Sequence, residues 1–566
     1  MILKSLYDYA KSHSDSMPPK GLEWKEIEFI IVIDKNGEFK RFESTRIDKR
    51  SCARFLVAKG VKRASVAKSN ILWDNGKYVL GMGEKAEKAH LLFQNMVSEL
   101  ASRNPDDDSI KAVSLFYKHP KESRELLFSM DPLFETVTEN SASNFSFRLQ
   151  EESELVAEKN NLFQHLINDN SNDVSQRCLV TGEYGPIVRT TTPTPLPDNA
   201  PMAALVSFQV KSGYDSYGKT QAYNSPISVD AEEAITTVIK RFLAKDSKNK
   251  FRLGNRMFLF WGSGDDSLSS ELENDLLALF EIPDKKDNSQ DQKILKVSSL
   301  LKGVFSGELK TSLNDRFHFL GLAPNTGRIA VVLWMDCSLK EFASHILNHF
   351  NDMEIIDNRK PDKQKPYVGV YSIISAATLG GKISDALPRV VEDTVKALIL
   401  GSDYPYQLYT GTLNRIRAEL TDMGVTVQRA AFIKAFINRK NNKSNNNLSV
   451  MLDKNNNNAG YLCGRLTAVL EKIQADVKSG DSIRTRYMGA ASATPAAVLP
   501  AMLNLSLHHS EKLSENSKIF YEKLKQEIID KIPDKGFPAH LDLSDQGRFF
   551  VGYYHQRADL FTTKEK

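Results

Sequence analysis

The chain has 566 residues, 41% of them hydrophobic and 26% charged, the balance of a folded globular protein rather than a disordered or fibrous one. At about 100–200 residues per domain, it should hold roughly three to five structural units. Its 75 basic against 71 acidic residues leave a net charge of +4, so total charge selects no polyanionic partner, and any nucleic-acid role must rest on where the charge lies.

Taken in chain order, Met1 to Ala10 reads as a short amphipathic helix without the apolar core and cleavage site of a secretory signal. Glu28-Phe-Ile-Ile-Val-Ile-Asp34, a Lys-Asn-Gly turn and Glu38-Phe-Lys-Arg-Phe42 together predict a β-hairpin. Tyr78-Val-Leu80 is strand-like, and apolar spacing predicts helices over 85–104, 230–244, 271–280 and 339–350. Further strands are expected over 204–210, 257–261, 317–322 and 328–334, the last two joined by Ala323-Pro-Asn-Thr-Gly327 as a second hairpin. From Pro388 onward strand signals nearly vanish, and helices are predicted over 390–400, 406–420, 428–438, 461–477, 496–509 and 518–531.

The expected fold class is therefore α+β: a mixed N-terminal region with antiparallel strands over residues 1–375, then an all-α C-terminal helical bundle over 376–566. Two Asn-rich patches, 441–447 and 455–458, read as flexible loops. Cys52, Cys178, Cys337 and Cys463 lie far apart with no CxxC spacing, which points to a reducing cytoplasm rather than a disulfide framework or a zinc site. No run approaches the ~18 apolar residues of a membrane span, so a soluble protein without a membrane partner is expected.

Motifs for catalysis are thin. Gly81-Met-Gly83 precedes a helix as a dinucleotide fingerprint would, but the chain continues as helix instead of completing a βαβ unit with an acidic residue after its second strand. His345 and His349 share a helix face at i, i+4, yet Ile346-Leu-Asn348 between them lacks the Glu of a zinc hydrolase. Ser65-Val-Ala-Lys68 matches SxxK without the companion elements, and neither a P-loop nor GxSxG occurs. No catalytic residue, metal ligand or cofactor is assigned; the competing reading is a metal-dependent nuclease or hydrolase using Asp265, Asp266 and the histidines.

Charge placement says more. Between Lys59 and Lys77, Lys59, Lys62, Arg63, Lys68 and Lys77 face a single acid, Asp74. Interleaved Ser65, Ser69, Asn70, Asn75 and Trp73 can donate to phosphates, read base edges or stack. Between Asp422 and Asp453, Arg429, Lys434, Arg439, Lys440 and Lys443 occur without an acid, which suits a phosphate backbone tracked without sequence preference. Lys478 to Arg486 with Tyr487 forms a third basic and aromatic stretch.

Several longer blocks carry a resemblance: Val61-Lys-Arg-Ala-Ser65, Asn70-Ile-Leu-Trp-Asp-Asn75, Tyr78-Val-Leu-Gly81, Cys178-Leu-Val-Thr-Gly-Glu183 and Ala204-Leu-Val-Ser-Phe208. Ser216-Tyr-Gly-Lys-Thr-Gln-Ala-Tyr-Asn-Ser-Pro226, Leu320-Gly-Leu-Ala-Pro-Asn325, Tyr487-Met-Gly-Ala-Ala-Ser-Ala-Thr-Pro495, Phe537-Pro-Ala-His540, Asp545-Gln-Gly-Arg-Phe549 and Gly552-Tyr-Tyr-His-Gln-Arg557 continue it. With these blocks the sequence resembles the large subunit of the type I-C CRISPR interference complex (Cascade), departing most at the Asn-rich insertions. The resemblance implies a non-catalytic, cytoplasmic subunit that recognises the short motif beside a DNA target (the PAM), helps open the duplex for CRISPR RNA and holds the displaced strand. It implies as partners CRISPR RNA, target double-stranded DNA, the backbone and RNA-processing subunits, a nuclease-helicase, and a small subunit made from the chain's own C-terminal part, starting near Met423 or Met451. Within that frame Lys68, Asn70 and Asn75 are expected nearest the PAM and Lys62 and Arg63 on phosphates. Lys219, Gln221 and Asn224 are further candidates, and Arg429, Lys434 and Arg439 are expected on the DNA backbone.

Overall fold

The computed structural model describes residues 1–48, 51–61, 68–159, 174–199, 203–208, 213, 215, 217–263, 267–280, 290–309, 315–325, 328–357, 359, 364, 367–420, 424–440, 447–477 and 483–561. The chain forms two compact units, one of residues 6–194 and 206–240, the other of residues 1–5, 195–205 and 241–566. Helix α1 (Ile2–Ser12) opens the chain and is amphipathic as expected, with Leu6 and Tyr9 buried.

In the first unit the chain runs through β1 (Leu22–Glu26), β2 (Phe29–Ile33), β3 (Phe39–Ser44), the short β4 (Arg46–Asp48) and β5 (Ser51–Cys52), and β6 (Arg54–Ala58). Strand β7 (Trp73–Asn75) leads into α2 (Gly76–Val79), α3 (Glu87–Arg103), α4 (Asp108–Lys118), α5 (Lys121–Ser129) and α6 (Phe134–Glu139). Then follow β8 (Asn144–Leu149), β9 (Ser175–Arg177), β10 (Tyr184–Pro186) and α7 (Val229–Leu243). The main sheet has the order β3-β2-β8-β7, with β2 antiparallel to β3 and parallel to β8. Every residue of β2 is buried, as a central strand covered on both faces requires. The predicted hairpin holds because Asp34 Oδ1 accepts from the Asn36 and Glu38 amides, both at 2.9 Å. Gly37 sits at φ 77° against the backbone of Phe116, where no side chain fits. The parallel pairing needs a long crossover, and α2 to α6 supply it. In α4, Asp107 caps the first turn through the Ser109 and Ile110 amides, and Ile110, Val113 and Phe116 reach the core of this sheet.

The second unit contains an antiparallel sheet of β11 (Lys250–Leu253), β12 (Arg256–Gly262), β13 (Arg316–Asn325) and β14 (Arg328–Ser338), paired in that order. Its core is shared with α8 (Ser267–Asp275), α9 (Gln290–Ser306), α10 (Leu339–Met353), α11 (Val370–Ala377) and α12 (Pro388–Ile399). Each fully buried Phe or Leu there contributes about 1.5–3 kcal/mol of transfer free energy. A second core joins α13 (Tyr406–Ala418), α14 (Val427–Lys440), α15 (Ala459–Asp476), α16 (Ile483–Ala491), α17 (Pro495–Ser510), α18 (Glu515–Ile529) and α19 (Leu543–Phe561). α15 is buried almost end to end, and α19 runs alongside it in the same direction: Gly460 meets Asp545 near their starts, and Lys472 lies over the ring of Phe561 near their ends. Asn438 ties its helix to the returning chain, its Nδ2 donating to the Leu448 carbonyl at 2.8 Å and its Oδ1 accepting the Leu448 amide at 2.7 Å.

The α+β class with a helical C-terminal part is what the sequence predicts, but several local expectations change. Tyr78 and Val79 lie in the helical turn α2 rather than in a strand. The described part of 204–210 forms no strand. The segment expected as one helix over 271–280 ends its α-helical part at Asp275 and continues as a 3₁₀ turn. The Asn-rich stretch 455–458 is structured by its own side chains: Asn456 Oδ1 accepts the Asn458 amide, and Asn458 caps α15 through the Tyr461 amide at 3.0 Å while donating to Asp545. Residues 441–446 of the other patch lie outside the described residues. The expected boundary at 375–376 falls inside α11.

Candidate nucleic-acid interface

The first basic segment connects β6 to β7. Lys62 and Arg63 lie outside the described residues, and Lys68 is exposed. Asn70 is buried; its Oδ1 accepts the Val61 amide at 2.9 Å, so one side chain joins the residues that precede and follow 62–69. Asp74, also buried, accepts the Asn70 amide on Oδ2 and the Asn75 amide on Oδ1, both at 2.9 Å. Trp73 is buried with its indole N–H on the Ala58 carbonyl and Lys25 over its ring, so it anchors β7 instead of offering a stacking face. Asn75 is half-buried, and its Oδ1 is itself buried, with no hydrogen bond among the described residues. The geometry thus gives Asn70 a positioning task and puts Lys68 on the surface, where it can meet DNA, whereas Asn75 would have to turn its buried amide oxygen outward to do so.

In the block at 215–226, Gln221 Oε1 accepts from Arg189 Nε at 2.9 Å, and Asn224 Nδ2 donates to the Lys219 and Gln221 carbonyls. Those two polar side chains build the turn. Lys219 is exposed, and Tyr217, which sequence reasoning did not single out, is fully exposed at φ 52° beside Gly218. The signal available was an aromatic residue directly before Gly-Lys in a polar, Gly-containing block.

Of the helical patch expected on the DNA backbone, Arg429, Lys434 and Arg439 have their side chains largely buried. Arg429 is buried and donates to the Ala376 and Gly424 carbonyls and to Glu419 Oε2 at 2.5 Å. Arg439 lies over the Tyr404 ring, 3.9 Å from its centroid, and donates to Asp352 and to the Ala397 and Ser402 carbonyls. Lys434 is buried, and desolvation pushes its ammonium below the usual lysine range despite Asp352 and Glu354. The donors of Arg429 and Arg439 are spent on internal acceptors and Lys434 is shut away by burial, so these three side chains serve the packing of the helical core. Lys440, the next basic residue, is exposed. In the third stretch, residues 478–482 lie outside the described residues, and Arg484 faces Glu471 at 3.6 Å.

Hydrolytic chemistry finds no assembled centre among the described residues. His349 is fully buried, its Nδ1 2.8 Å from the Tyr404 hydroxyl, and burial together with Arg439 lowers its pKa to about 3. His345 Nδ1 lies 2.9 Å from the Ile399 carbonyl. The two histidines are committed to packing contacts; Asp265 and Asp266 lie outside the described residues. No group of three or more His, Cys, Asp or Glu among the described residues could hold a metal ion, and no described helix is long and apolar enough to cross a membrane.

A model of the family described as CRISPR-associated protein (Cas_Csd1) matches residues 3–561. The chain belongs to the Csd1 family. Csd1 proteins are the large subunits of type I-C Cascade, so the chain is a CRISPR-associated component of that assembly. No curated relative matches the chain. The match spans both compact units, so in this Csd1 protein the sheet of the first unit and the helices of the second belong to one family architecture.

Proposed function

We propose that this chain is the non-catalytic, DNA-recognising subunit of an RNA-guided type I-C surveillance complex. It reads the PAM in double-stranded DNA, promotes duplex opening and R-loop formation, stabilises the displaced strand and helps recruit the nuclease-helicase. Its partners on this reading are CRISPR RNA, target DNA, the backbone and RNA-processing subunits, and a small subunit drawn from its own C-terminal helices. The observation that carries the proposal is the family match over residues 3–561. Two features support the DNA-reading part: exposed Lys68 and half-buried Asn75 flank a loop base braced by Asn70 and Asp74, and Lys219 stands exposed beside Tyr217.

The test is reconstitution of the complex with CRISPR RNA, followed by binding to matched duplexes with and without a PAM and by permanganate probing of unpaired thymines. PAM-dependent binding and strand opening that vanish when this subunit is omitted are the expected result. Metal-dependent DNA cleavage by the highly purified chain alone would return the nuclease reading to first place.

A further inference from the structure

Where α13 begins beside the last turn of α14, a cavity of about 230 Å³ is lined by Asp403, Tyr404, Tyr406, Phe436, Arg439 and Lys440. That is below the roughly 300 Å³ at which drug-sized pockets start, and suits one flat ring system. We propose that it holds a single unstacked nucleobase of single-stranded DNA. The inference rests on the nucleic-acid reading above and adds a ligand site to it.

The walls are aromatic and supported from behind. Phe436 is stacked on Tyr409 with centroids 4.1 Å apart and planes 11° apart, which holds its ring in place. Tyr406 is half exposed, with its centroid 6.2 Å from that of Phe436, so its ring is open to a partner. On the third side the Arg439 guanidinium sits over the Tyr404 ring, 3.9 Å from its centroid, held in place by donors committed to Asp352, Ala397 and Ser402. Such rigid π and guanidinium faces are what a base stacks on, and they accept any base.

The polar groups at the rim are the ones left unspent. Lys440 is exposed and sits 5.9 Å from the Tyr406 centroid, in place to meet the phosphate of a base stacked there. Asp403 is exposed and makes no hydrogen bond or ion pair among the described residues. Its carboxylate can accept from the exocyclic amine of cytosine, adenine or guanine and finds no donor at that position on thymine. A methylated-lysine ligand would also suit aromatic walls, but the exposed Lys440 ammonium at the rim repels a cation there. Stacking, a phosphate contact and an amine acceptor meet within one small cavity.

The test uses the full chain within the reconstituted complex, with 2-aminopurine placed singly along the displaced DNA strand or in the CRISPR RNA. Stacking quenches the probe, so one displaced-strand position should be quenched by wild type and by Tyr406→Phe and stay bright with Tyr406→Ala. The full-length chain should bind dC12 about tenfold tighter than a Tyr406→Ala variant does, as removal of one stacked base predicts. Its preference for dC12 over dT12 should disappear in Asp403→Ala, and Lys440→Ala should lower the salt slope by about 0.7. Quenching confined to the RNA overturns the assignment to DNA. If the complex opens target DNA but Tyr406→Ala and Asp403→Ala leave quenching and base preference intact, the pocket fails and the broader reading stands; if wild type binds no target DNA, both fail.

Discussion

Gly464 of α15 faces the main chain of Phe549 in α19 so closely that a Cβ on the glycine would overlap the Phe549 carbonyl oxygen. One turn earlier Gly460 meets Asp545 in the same way, and from the opposite side Gly552 meets Tyr461. The two central helices of the bundle thus touch backbone to backbone. Gly464→Ala must push the helices apart and should destabilise the second unit by about 1–3 kcal/mol. A Cβ on Gly489 in α16 would meet nothing within 4 Å among the described residues, so Gly489→Ala should be neutral or stabilise by up to about 1 kcal/mol. Paired thermal melts of the two variants check the contrast.

Lys68→Ala and Lys219→Ala should weaken binding to PAM-bearing and PAM-less duplexes alike, each lowering the salt slope by about 0.9 for every phosphate it ceases to neutralise. Asn75→Ala should act on the PAM duplex alone, by about 1–3 kcal/mol per base read, without moving the melting temperature. Asn70→Ala should lower PAM preference and melting temperature together, because the Val61 amide is deprived of its acceptor. Filter binding over a salt series, alongside melts, separates the three patterns.

A C-terminal product beginning at Met451 would keep α15 to α19 but lack α14. In the full chain Gly547 of α19 packs against Ile433 and Ile437 of α14, and Lys434 and His555 are close enough to interact electrostatically. Without α14 that apolar face of α19 is uncovered. A product beginning at Met423, which lies outside the described residues, retains it. A 423–566 fragment should therefore melt cooperatively and at a higher temperature than 451–566, measured by circular dichroism. Equal melts would show that α14 is dispensable to the small-subunit part.

His349 and His555 are held neutral inside the second unit, each with its pKa lowered to about 3, chiefly by burial. The unfolded chain binds a proton at each near the ordinary 6.5, so their contribution is complete above that pH and is lost as pH falls toward 3. Each adds a slope of about 1.4 kcal/mol per pH unit in that window. Urea midpoints between pH 7.5 and 5 should fall on acidification, and His349→Gln or His555→Gln should flatten the fall.

The elements that sequence shows well are those with one wet and one dry face, or a turn of defined chemistry. The β2–β3 hairpin is legible from Asn36-Gly37, and α10 from its apolar stripe. α19 escapes because it is buried on nearly all sides, so it has no period, and because Gly547 and Gly552 count against a helix when seen without the neighbours that require them. The candidate site divides along the same line. Arg429 and Arg439 look like surface charges in a window without acids, but their carboxylates come from elsewhere: Glu419 lies ten residues before Arg429, and Asp352 lies 87 before Arg439. Local composition cannot register a partner that only the fold delivers, whereas Lys68 and Lys219 lie on the surface, where a basic residue in a polar stretch is expected to lie.

The clasp between Asn438 and Leu448 has a practical side. One amide side chain fixes where the chain leaves α14 and where it returns, so those two points are held together whatever length of chain joins them. Doubling the length of such a segment adds only about 0.6 kcal/mol of closure entropy. Residues 441–446 are accordingly a place to splice in a fluorescent protein or an affinity peptide, giving a handle for tracking the subunit in living cells while its packing, and the clasp itself, stay as they are.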